Sequence, residues 1–144
     1  MEMTETPLSS IASRQARVTR TAVEVPAEVG QLLTLRALAD TVSMIAGLSL
    51  DETTDIRVSI DEVATCLSRQ SLPETMLRCA FDTDREQVVV RITAVTVVEH
   101  PIDESGLSWQ LLVATSDRIE RRVRPAADGY EVEVTLTHHR RHRG

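Results

Sequence analysis

Between positions 49 and 70 the chain reads SLDETTDIRVSIDEVATCLSRQ, and the apolar residues Ile56, Ile60, Val63 and Leu67 recur at intervals of three and four. That spacing places them on one stripe of a helix. Ser49, followed three residues later by Glu52, has the form of a capping box and marks the helix start. Asp55, Ser59, Glu62, Cys66 and Arg69 repeat at the same spacing on a different, polar face. A second helical pattern precedes this one. Leu32, Leu35, Ala39, Val42 and Ile45 share a face of the segment Ala27 to Ala46, with Pro26 suited to its start and Gly47 to its C-cap. Arg36 lies on the flank of that stripe.

Period-two alternation marks the strands. Arg20 to Val25 alternates, and Thr75 to Phe81 and Gln87 to Val97 are joined by the polar turn DTDRE. Gln87 to Val97 is a near-continuous β-branched run, which predicts a central place in the sheet. Leu107 to Arg118 reads as a third helix and Arg121 to Arg124 as a short strand. Tyr130 to Thr137 alternates with Tyr130, Val132, Val134 and Leu136 inward, after a turn at Gly129. The order strand, helix, helix, two strands, helix, one or two strands predicts an α+β two-layer sandwich, with helices on one face of a mixed, mostly antiparallel sheet. Residues 1–17 lack periodicity and are expected to form a flexible N-terminal tail. Residues 18–137 form a single domain in this reading, and 138–144 a basic C-terminal tail.

Composition narrows the function classes. A chain of 144 residues suits one domain with a real core, roughly two-thirds of its unfolded surface being buried. Apolar content of 42% and charged content of 26% are ordinary for a globular protein. No apolar run approaches the roughly 20 residues that span a bilayer. The polar, acidic start is not a secretory signal, and two cysteines fit a reducing compartment, so the expected location is cytoplasmic, away from any membrane. All 16 basic residues are Arg. A chain without Lys is neither a P-loop NTPase, nor a conventional protein kinase, nor a Schiff-base enzyme. A net charge of -6 argues against direct nucleic-acid binding by the surface as a whole.

The isolated candidates favour structural roles. Cys66 and Cys79 fall in separate elements without a His at ligand spacing, so no metal site is expected and both read as small core or pocket residues. His100 precedes Pro101 in a loop. His138, His139 and His142 fall in the tail, and Trp109 and Phe81 read as core.

The order of elements and the stretch IRVSIDEVATCLSRQ resemble the anti-sigma factors of bacterial partner-switching systems, the RsbW-like serine kinases of the GHKL (histidine-kinase-like ATPase) superfamily. Val58, Asp61, Glu62, Val63, Ala64 and Thr65 follow that family's V-D-E-A-C-T-N context. GLSWQLLVATSDRI resembles its glycine box and following helix, with Asp117 and Ile119 matching the helix end, and YEVEVTLT resembles its closing strand. The resemblance covers about residues 19–137 and implies a GHKL-type sandwich.

Departures from the pattern shape the functional expectation. The family's magnesium-binding Asn is here Cys66, and a neutral thiol is a poor ligand for a hard, oxygen-seeking cation. The aspartate and glycine box expected between Thr93 and Pro101 is missing, and Ser108 stands where a second glycine belongs. Glu62 keeps the place of the family's general base, without a nucleotide to act beside. Glu62, Cys66 and Gly106 thus occupy degenerate ATP-site positions, and the resemblance implies a binding protein more than an enzyme, with no cofactor. By the same resemblance Arg36 contacts a sigma factor, through a guanidinium suited to an acidic residue. The implied partners are a sigma factor, an anti-anti-sigma (STAS-type) antagonist and a second copy in a homodimer. Two alternatives stay open: an active serine kinase using Mg-ATP to phosphorylate the antagonist, and an interaction domain unrelated to transcription.

Overall fold

The computed structural model describes residues 18–141. Residues 1–17 and His142, on which tail assignments were made, lie outside them. In chain order the elements are β1 (Thr19–Pro26), a 3-10 turn (Val29–Gln31), α1 (Leu32–Ala46), α2 (Leu50–Arg69), β2 (Met76–Thr83), β3 (Gln87–Thr96), α3 (Leu107–Thr115), β4 (Arg118–Pro125) and β5 (Tyr130–His139). The sheet order is β1-β2-β3-β5-β4 with every neighbouring pair antiparallel. The fold is α+β as expected, and the sheet is antiparallel throughout.

β3 holds the centre, but its burial alternates residue by residue. Val88, Val90, Ile92 and Ala94 enter the core, while Val89 and Val95 remain half-buried on the other face. The β-branched run therefore reflects strand propensity as well as burial. The core lies between this sheet face and the helices. From α2, Ile56, Ile60, Val63 and Leu67 are each at most 1% exposed, as the stripe predicts. The capping box at its start is complete: Ser49 Oγ accepts from Glu52 N at 3.1 Å, and Glu52 Oε1 accepts from Ser49 N at 2.8 Å.

Several boundaries differ from the sequence reading, each for a physical reason. Pro26 ends β1 instead of starting a helix; on an edge strand its missing N–H costs no ladder bond. α1 then buries Leu35, Ala39, Val42 and Ser43, whereas Ile45 is 79% exposed. At about 100° per residue, Ile45 has rotated off the stripe that Leu35, Ala39 and Val42 define. Gly47 ends the helix at φ 74°, and Leu48 N donates to Ser43 O at 3.0 Å in a Schellman-type closure. Ser59, expected on the polar face of α2, is fully buried. α3 stops at Thr115, and β4 takes over at Arg118 as a full edge strand.

β5 runs two residues beyond the expected Thr137, so the start of the supposed tail is sheet. His138 continues the inward alternation of Val134 and Leu136 and is buried. Arg140 is not a solvated tail residue either. Its guanidinium donates to Asp84 O at 2.9 Å and to Ala46 O at 2.5 Å, the latter placing positive charge at the C-terminal end of α1.

Candidate functional site

α2 is the strut of the site, because consecutive acids on it reach opposite neighbours. Asp61 turns toward α1, and Glu62 turns toward the first turn of α3. Ser108 Oγ donates to Glu62 Oε1 at 2.6 Å, and Cys66 Sγ donates to Ser108 Oγ at 3.8 Å. A donor chain from thiol to hydroxyl to carboxylate thus links the two helices. Gly106 is the N-cap of α3, in extended backbone at φ -98°, with its N–H donating to Asp103 O at 3.0 Å. The structure therefore gathers Glu62, Cys66 and the residues that follow Gly106. Arg36 lies apart from this cluster, on α1.

The segment between β3 and α3 is tied down from β4. Arg121 donates to Ile102 O at 3.4 Å, pairs with Glu104 and places its guanidinium 5.1 Å from the Trp109 ring centroid. Ile102 itself is 2% exposed. Trp109 is half-buried at the core margin, covered by a cation–π contact, and Phe81 is core as expected.

Chemistry at the cluster is muted. Burial pushes the Cys66 thiol up, and the nearby Glu62 charge acts in the same direction. Burial alone pushes Cys79 up to about 12, and it lies fully inside the core. Both thiols are therefore held protonated and poorly nucleophilic. The residues present do not fit a magnesium–nucleotide group. A protonated thiol, Cys66, stands where the resemblance expects an Asn, and it is a poor ligand for a hard cation; one oxygen of Glu62 accepts from Ser108. Among the described residues no group of three His, Cys, Asp or Glu is placed to hold a metal ion, and no helix is long and apolar enough to cross a membrane.

Arg36 forms an ion pair within the chain. Its Nε donates to both Asp61 oxygens, at 3.0 and 2.9 Å, and this bond with its charge raises the guanidinium above its ordinary value. A turn away on each helix, Arg57 pairs with Asp40 at 3.5 Å. The sequence reading missed Asp61 as the partner of Arg36, since 25 residues separate them with no local signal. It also missed His138, whose Nε2 lies 3.3 Å from the Ser59 hydroxyl. Continuing the period-two alternation past Leu136 would have placed it inward.

Among the described residues, a two-layer sandwich with three helices on one face of an open antiparallel sheet, the longest helix carrying Glu62 against the start of α3, matches a GHKL-type fold. Compared with family profiles, the chain matches none. It is 30% identical over 127 residues to the protein named Anti-sigma-F factor RsbW in each of two strains of Mycobacterium tuberculosis, an alignment covering 86% of this chain and 76% of the relative. The chain belongs to the RsbW family of anti-sigma regulatory factors.

Proposed function

We propose that the protein sequesters an alternative RNA polymerase sigma factor in the cytoplasm, works as a homodimer, and is released by an anti-anti-sigma antagonist of the STAS type. The observation that carries this reading is the 30% identity to Anti-sigma-F factor RsbW across 86% of the chain. Release in this reading is by competition, without phosphorylation. Its support is the thiol at Cys66, a poor magnesium ligand where the resemblance expects an Asn, and the Ser108 hydroxyl that occupies one oxygen of Glu62.

The test is affinity capture of the tagged protein from its host lysate, with and without Mg-ATP, with bound proteins identified by mass spectrometry. The expected result is a sigma factor whose recovery ignores ATP. Recovery that follows ATP would instead point to a working kinase pocket, and no sigma factor under either condition would leave an interaction domain unrelated to transcription. A thermal melt adds a quantitative arm. A ligand at one hundred times its Kd stabilises a fold by about 2.7 kcal/mol, so about 1 mM Mg-ATP on a site of Kd about 10 μM would raise Tm by several degrees. No shift is expected.

A further inference from the structure

The Arg36–Asp61 pair has an unusual division of donors. Both carboxylate oxygens lie within 3.0 Å of Nε alone, and the two terminal nitrogens of Arg36 carry no hydrogen bond among the described residues. The pair is half open to solvent, with 40% of the Arg36 and 29% of the Asp61 side chain exposed. A guanidinium offers five N–H donors in a rigid fork and can serve two carboxylates at once. The converse arrangement exists on the sheet, where one carboxylate, Asp82, accepts from both Arg20 and Arg91 at 2.5 to 2.8 Å.

Around this pair the two helices present a coherent face. On α1, Leu33, Arg36, Asp40 and Met44 follow one another at steps of three and four; on α2, Leu50, Arg57 and Asp61 do so at seven and four. Asp40–Arg57 and Arg36–Asp61 cross between the helices with opposite polarity. The apolar members of the face, Leu33, Met44 and Leu50, are 70%, 78% and 80% exposed. Large apolar side chains left this open beside paired, part-exposed charge have the composition of interface anchors with a polar rim.

We infer that Asp61 is a positioning residue, holding Arg36 so that its free terminal nitrogens receive a carboxylate from a segment of the sigma factor flanked by apolar side chains. This rests on the function proposed above and on the Arg36 contact that the resemblance implies, and adds the residue that sets Arg36 in place for it. A long arginine otherwise loses rotamer freedom when a partner fixes it; Asp61 has already restricted it, so less is lost on docking. Asp61 is thus a support for binding and not a competitor of the incoming acid.

The test titrates the purified alternative sigma factors of the source organism against the wild type and four variants by fluorescence anisotropy. Arg36→Ala is expected to weaken binding on the order of tenfold or more, about 1.4 kcal/mol per factor of ten. Asp61→Ala weakens it roughly fivefold, Asp61→Asn stays within about twofold because its amide oxygen still accepts from Nε, and Asp61→Ala adds nothing in an Arg36→Ala background. Asp61→Ser supplies the same comparison if Asp61→Ala does not fold. Equal or tighter binding by Asp61→Ala, or a loss that persists without Arg36, overturns the assignment. So does wild-type binding by Arg36→Ala, although sequestration itself would then stand. A wild type that binds none of the sigma factors overturns the proposed function and this assignment together.

Discussion

Ser108→Ala isolates the contact that closes the candidate site. The substitution removes the hydroxyl that donates to Glu62 at 2.6 Å and accepts from Cys66 at 3.8 Å. Hydrogen bonds to charged groups contribute about 1.5–3 kcal/mol, and Glu62 is only half-buried, so water recovers part of the loss. Alanine regains a few tenths through helix propensity. The net cost is about 1 kcal/mol, or a Tm lower by about 3–5 °C in a domain of this size. α3 stays docked through Leu112, which is fully buried, so the native baseline is unchanged. Urea denaturation followed by circular dichroism gives the number, and a double-mutant cycle with Glu62→Ala assigns it. Losing Ser108 after Glu62 is gone should cost only a few tenths. The Cys66 thiol supplies a second readout. Without the hydroxyl that neutralises part of it, the Glu62 charge acts more strongly on the thiol and holds it up, and labelling by a thiol reagent at pH 8 slows. Fully additive single-mutant losses, or labelling that accelerates, would refute the idea of one connected chain from thiol to carboxylate.

Three more outcomes follow from the same structure. His138 is buried against the Ser59 hydroxyl, and burial lowers its imidazole below the ordinary 6.5 despite Asp117 and Asp55 nearby. Its contribution to stability is therefore complete above about pH 6.5 and lost as pH falls through the lowered folded value; melts from pH 7.5 to 5 should lose this slope in His138→Gln, and parallel curves would count against it. Gly129→Ala places a Cβ against the Thr96 carbonyl oxygen and the Leu72 side chain, so the β4–β5 turn must shift, costing about 1–3 kcal/mol by urea denaturation. Ser49→Ala breaks the capping box of α2 and should cost about 1 kcal/mol, a loss that Ser49→Asp largely avoids.

The parts of this protein legible from sequence are those decided by neighbours along the chain. Ser49 and Glu52 are three residues apart, so the start of α2 could be read from them alone. The stripe from Ile56 to Leu67 needs only helical periodicity, and every member is buried. Helix ends were harder where the signal was rotational: Ile45 looked like core from spacing, yet accumulated rotation turned it outward. The family could also be read early, because the context around Asp61 and Glu62 is a local string of residues.

What only the tertiary structure decided depends on groups far apart in the chain. Whether Arg36 stood free or paired required knowing that α1 and α2 bring it to Asp61, 25 positions later. Glu62 could be placed on a polar face, but Ser108 reaches it across 46 positions, and that contact turns an open acid into a closed one. His138 belonged to a tail by composition and to the core by β pairing, since Val88 of the central strand faces it in register. Local propensity and periodicity choose the elements; packing in three dimensions then chooses which polar side chains meet, and for this chain that choice defines the site.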